Sequence, residues 1–153
     1  MSDQDATFLR LLVVGADGSD GSRRALEWSA QLAAATGAEV LAVHVLTYSH
    51  ALLRDITPDT MRAWRLELHE DLRSRWTEPL TARGLEHRTL VVEHDSAAGG
   101  LLATADREHA DLLIVGAKGH GSLADRVLGG VSYRVIHRSR HPVVVVPTDL
   151  EVA

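Results

Sequence analysis

The chain has 153 residues, 45% hydrophobic and 24% charged, with a formal net charge of −5 and no cysteine. That length suits one domain able to bury a sizeable core without covalent staples. The missing cysteines exclude disulfides, thiolate metal sites and cysteine nucleophiles, and the acidic balance gives no long-range pull toward nucleic acid or an anionic membrane.

The start, "MSDQDATF", is polar and acidic, unlike a secretory leader. No apolar run approaches a membrane span, so a soluble cytoplasmic protein is expected. "RLLVVGADGS" then predicts a buried strand over Leu11–Val14 that ends in turn residues. Ser19 or Asp20 can cap a helix reaching about Thr36, and Gly37 can close it. Leu26, Ala30 and Ala33 would face a sheet, flanked by Trp28 and Leu32. A second strand covers Val40–Val45. "LTYSHALLRDI" has no clean period and reads as a loop.

Thr57-Pro58 has the form of a helix start, with proline at the first position. Met61, Trp64, Leu68, Leu72 and Trp76 recur at helical spacing. Pro79 kinks or restarts this helix, and Gly84 closes the region. A third strand is expected around Arg88–Val92. Asp95 or Ser96 can cap a helix to about Glu108, although Gly99 and Gly100 each cost it roughly 1 kcal/mol against alanine. "DLLIVG" is the fourth strand. A last helix is expected from near Gly130 to about Arg138, and "HPVVVVP" is the fifth strand.

Short all-apolar strands alternating with helices imply a parallel sheet covered on both faces. The fold class is therefore α/β, a single doubly wound domain spanning residues 1–153, with its core at about 9–148. Two strand orders fit, 2-1-3-4-5 and 3-2-1-4-5. In either, a ligand would sit beyond the carboxyl ends of the strands at the switch point.

"GAKGHGSLADRVLGGVS", residues 116–132, follows the fourth strand and holds five glycines and Lys118, the only lysine of the chain. Bare backbone lets amides approach a ligand, and a helix N-terminus adds free donors and a positive dipole end. The same glycines could serve only as turns. The stretch is neither a P-loop nor a G-x-G-x-x-G dinucleotide motif.

From about residue 10 to 147 the chain resembles the universal stress proteins of the UspA type. "VVGADGS", "VHV" and "DLLIVGAKGHGSLADRVLGGVSYRVIHRSRHPVVVVP" carry the resemblance. The most specific part is the pattern of the ATP-binding class: Gly, two residues, Gly, nine residues, Gly, then Ser or Thr. Gly116, Gly119 and Gly129 match it. Gly130 departs from it, where those proteins carry a hydroxyl. One lost hydrogen bond to a charged oxygen is worth roughly 1.5–3 kcal/mol, about ten- to hundredfold in affinity. Ser132 offers a substitute hydroxyl two residues on.

The fold so implied is adenine nucleotide alpha hydrolase-like, a five-stranded parallel sheet in the order 3-2-1-4-5 with helices on both faces. The resemblance also implies a ligand, ATP with or without magnesium. Asp17 would hold the ribose, the Val45 backbone would meet the adenine edge, and Ala16 would lie nearby. Gly116 and Gly119 would wrap the phosphates, while Gly129, Gly130, Val131 and Ser132 would present amides to them. A homodimer through Val143–Val146 is implied as well, which would cover an edge strand that otherwise invites association.

Other residues are weaker candidates. Lys118 could reach a phosphate or point to solvent. His120 has no nucleophile beside it and is given no catalytic role. His137 and His141 straddle a helix end and do not make a zinc pair. His44 reads as a sheet-face residue, and His94 and Asp95 as residues that end a strand and cap a helix. Arg134, Arg138 and Arg140 suit the end of a helix. Aromatics at 4% argue against a nucleic-acid surface. FMN is disfavoured, because "GADGS" lacks a hydroxyl-rich run. The expected function is an ATP-binding regulatory module in stress response. A slow ATPase or phosphotransferase, or a nucleotide-free dimeric scaffold, are the alternatives, with slow hydrolysis the most enzymatic activity expected.

Overall fold

The computed structural model describes residues 8–48, 55–119 and 128–151. Its elements follow in the order β1 (Leu11–Gly15), α1 (Asp20–Thr36), β2 (Glu39–Leu46), α2 (Pro58–Glu70), a π-helical turn (Asp71–Trp76), α3 (Glu78–Thr81), β3 (His87–Glu93), α4 (Ala97–Glu108), β4 (Leu112–Gly116), α5 (Gly130–Arg138) and β5 (Val143–Val146). The strands form one parallel sheet in the order β3-β2-β1-β4-β5, the second of the two expected orders. Residues 49–54 of the predicted loop, and His120, lie outside the described residues.

β1 and β4 are apolar at every position because both of their faces are buried, and β2 departs from this only at Glu39 and His44. Side chains alternate across the sheet. Leu12, Val14, Val40, Ala42, Leu112 and Ile114 pack on one face, against Leu26, Ala30 and Ala33 of α1 and against Leu72 and Leu80. Leu11, Val13, Leu41, Val43, Leu113 and Val115 pack on the other, against Ala98, Leu101 and Ala105 of α4 and Val135 of α5. Trp28 and Leu32 flank the first cluster, as expected.

Local chemistry sets the helix ends. The Ser19 hydroxyl accepts from the Ser22 amide (3.2 Å) at the start of α1. Gly37 closes that helix in the left-handed region at φ 75°, with its amide on the Ala33 carbonyl. Thr57 caps α2, with Pro58 in its first turn. The stripe Trp64, Leu68, Leu72, Trp76 advances by four residues per step. An α-helix drifts about 40° with each such step, and the wider π-helical turn at Asp71–Trp76 takes up that drift. The buried Thr77 then donates to the carbonyls of Leu72 and Arg73 that the irregular turn frees. Pro79 starts α3 rather than kinking α2.

At the opposite end of the sheet, Asp111 Oδ2 accepts from the amides of Arg10 (2.8 Å) and Leu11 (2.9 Å). These bonds hold the carboxyl below its ordinary range and tie the start of β1 to that of β4. Among the described residues no helix is long and apolar enough to cross a membrane.

Candidate functional site

The chain runs outward from β1 through β2 to β3, then crosses to β4 and β5, so the switch point lies between β1 and β4. A cavity of about 450 Å³ opens there over the carboxyl ends of β1, β2 and β4, a size typical of small-molecule sites. The N-termini of α1, α4 and α5 converge on it, and their dipoles favour a negative ligand.

These helix starts are not alike. The first turn of α1 is capped by Ser19, and that of α4 by Ser96, whose hydroxyl accepts from the Gly99 amide (3.0 Å). At α5 the cap residue is Gly129, which makes no side-chain cap. The amides of Gly130, Val131 and Ser132 open that helix without intrahelical partners, and all three residues line the cavity.

The loops after β1 and β4 meet backbone to backbone. A Cβ on Gly21 would stand 1.8 Å from the Lys118 carbonyl oxygen, and one on Gly116 would stand 2.5 Å from the Gly21 carbonyl. A Cβ on Gly119 would stand 2.6 Å from Asp17 Oδ2. The other carboxylate oxygen of Asp17 accepts from the amide (2.9 Å) and the hydroxyl of Ser19. This orients the carboxylate before any ligand arrives.

Ala16, Asp17, Val45, Gly116, Gly119, Gly129, Gly130, Val131 and Ser132 all line this one cavity. The Ala16 amide makes the last β1–β2 bond, to the Val43 carbonyl (2.8 Å). The Val45 peptide, two residues on, faces the same way, where the ladder has stopped. The Val45 side chain leans instead on Gly100, whose Cβ would stand 2.5 Å from it.

Two expected roles change. The Gly129 amide donates to the Ala117 carbonyl (2.6 Å), so it is not on offer to a ligand. The buried Ser132 hydroxyl donates to the same carbonyl (2.9 Å), with the Gly129 carbonyl as a second acceptor at 3.1 Å. It holds the start of α5 to the end of β4 and does not replace the hydroxyl missing at Gly130. Gly116, for its part, is bare because the first turn of α1 rests on it.

Among the other residues on the cavity wall, only Lys118 has a phosphate role open to it from the sequence. His44 Nδ1 lies 2.8 Å from the Ala16 carbonyl, and its ring meets Trp76 edge-on at 5.2 Å. Arg134, Asp95 and Ser96 also line the cavity, as does Lys118. Helical spacing could have found Arg134, because it lies four residues after Gly130 on the same face.

The cavity wall therefore combines the open amides at the start of α5, Lys118 and Arg134 with the oriented Asp17 carboxylate. It fits a ligand that has both an anionic end and hydroxyl groups, as an adenine nucleotide does. Among the described residues no three or more histidines or carboxylates come together to hold a metal ion.

Residues 9–147 match the model of the "Universal stress protein family". A universal stress protein of Mycobacterium tuberculosis is 34% identical over 145 residues, covering 91% of this chain and 97% of the relative. A crystal structure of a universal stress protein in complex with cAMP is 30% identical with a TM-score of 0.70, covering 92% of this chain and 98% of that one. The universal stress protein from Archaeoglobus fulgidus in complex with dAMP shares the fold, with a TM-score of 0.67 at 21% identity over 91% of this chain and 98% of that one.

Proposed function

Because this chain belongs to the universal stress protein family, we propose that it binds ATP or a related adenine nucleotide over the strand tips and acts as a nucleotide-responsive regulatory module. The observation that carries this reading is the uncapped start of α5, whose first amides open into a cavity already lined by an oriented carboxylate. The cAMP complex of the relative at 30% identity supports an adenine nucleotide as the ligand class.

In this reading Asp17 accepts from the ribose hydroxyls and the Val45 peptide meets the adenine edge near Ala16. The phosphates lie along Gly116 and Gly119 and take the amides of Gly130, Val131 and Ser132. Gly129 shapes the turn without donating. A magnesium ion, where present, is carried by phosphate and water. The protein works in the cytoplasm as a homodimer joined through Val143–Val146. Among the described residues β5 pairs with β4 alone, which leaves one backbone edge for a second copy.

The test is to extract and identify nucleotide from purified protein, then titrate ATP with and without magnesium. Saturable ATP binding without turnover is expected. ADP accumulating with time, and abolished by Asp17→Ala, would move the reading to a slow ATPase. No saturable binding at millimolar ATP would leave a nucleotide-free scaffold.

A further inference from the structure

We infer that Arg134 is the residue by which this site selects nucleotides carrying a free phosphate chain, an inference that rests on the nucleotide reading above. Arg134 lines the cavity from the second turn of α5, although it is exposed and lies behind the amides that open the helix. Side chains on a helix lean toward its N-terminus. A residue at 134 therefore covers the turn that begins at Gly130, which puts its guanidinium at the phosphate end.

Two further observations make that route available. A Cβ on Gly130 would meet nothing within 4 Å. Among the described residues nothing crowds that point, so neither glycine nor a residue as small as serine at 130 stands between Arg134 and the first amides. Secondly, no carboxylate among the described residues pairs with Arg134, although other arginines of the chain are held in ion pairs, among them Arg23, Arg65 and Arg88. Among the described residues no carboxylate neutralises its charge.

Gly130 and Arg134 then act as a pair. The glycine forgoes a hydroxyl donor and leaves the path open. The arginine supplies a charged, forked donor that suits phosphate oxygens. A hydroxyl contributes one short-range bond to a single oxygen, whereas a guanidinium carries a full charge and gains with every negative charge brought near it. Adenosine gains nothing from it, a cyclic monoanion gains little, and an uncyclised di- or triphosphate gains most.

The experiment measures dissociation constants for adenosine, cAMP, AMP, ADP and ATP with wild type, Arg134→Gln and Arg134→Lys, at low and moderate salt. Wild type should tighten from cAMP to ATP. Arg134→Gln should weaken ATP by roughly tenfold, the lower end expected for a charged bond at an exposed residue. It should leave adenosine within about twofold and flatten the salt dependence of ATP binding. Arg134→Lys should recover part of the loss. Equal weakening of adenosine and ATP by Arg134→Gln would mark a structural role and overturn the inference, as would no change in either. Wild-type protein that binds none of the five compounds would instead overturn the nucleotide reading itself.

Discussion

Gly130 shows how much one absent side chain can decide. Its φ is not in the left-handed region and a Cβ there has open space, so nothing in the backbone demands glycine. Gly130→Ser should restore a hydroxyl at the phosphate end and tighten ATP by up to about tenfold, read by calorimetry. Gly130→Ala is the control. It should raise stability by about 0.4–1 kcal/mol through the unfolded chain without tightening ATP. Gly21 is the opposite case. Its Cβ would collide with a carbonyl, which is backbone and cannot turn aside. Gly21→Ala should cost about 1–3 kcal/mol, as overpacking does, and weaken nucleotide binding in the same titration. Both glycines look alike in the sequence. What separates them is the neighbour each meets in space, which no local pattern contains.

Among the elements, the strands and most helix limits could be read directly. Ser19, Thr57 and Ser96 cap helices because short hydroxyl side chains reach the amide three residues on. Gly37 ends α1 because a left-handed residue terminates a helix cheaply. The π-helical turn was not read, since four-residue spacing alone also fits an ordinary helix. The donations of the Gly129 amide and Ser132 hydroxyl to Ala117 were also hidden, because they join the two ends of an intervening segment. At this scale Asp111 carries a prediction. Its carboxyl is held low chiefly by the amides of Arg10 and then Leu11, with the charges of Arg10 and His141 adding to the effect. The stabilisation is therefore fully present above the unfolded value of about 3.9 and is lost as pH falls through the lower folded value. Asp111→Asn should lower the melting temperature at pH 7. The gap to wild type should close as melts are repeated toward pH 3. A gap that stayed constant with pH would place the effect in packing and not in charge.

For the whole molecule, the cavity spans the boundary between the β1–β2 and β4–β5 halves of the sheet. A ligand that touches both halves stabilises the assembled sheet and not one arm of it. At a hundred times its dissociation constant, ATP should add about 2.7 kcal/mol, which raises the melting temperature by about 5–10 °C in a chain of this size. Differential scanning calorimetry should show one transition moving as a unit. A transition that split, with one part unmoved by ATP, would confine the ligand to one half. The both-face burial that makes this coupling possible was legible in the unbroken apolar strands, and so was the placement of the site at their carboxyl ends.

Trp76 lies over Gly18, where a Cβ would stand 2.8 Å from the indole. It also touches His44, whose ring reaches the Ala16 carbonyl. The molecule thus carries an intrinsic fluorophore one contact away from the floor of its own site. Occupancy can be followed by emission from the native protein, with no dye attached and no residue replaced.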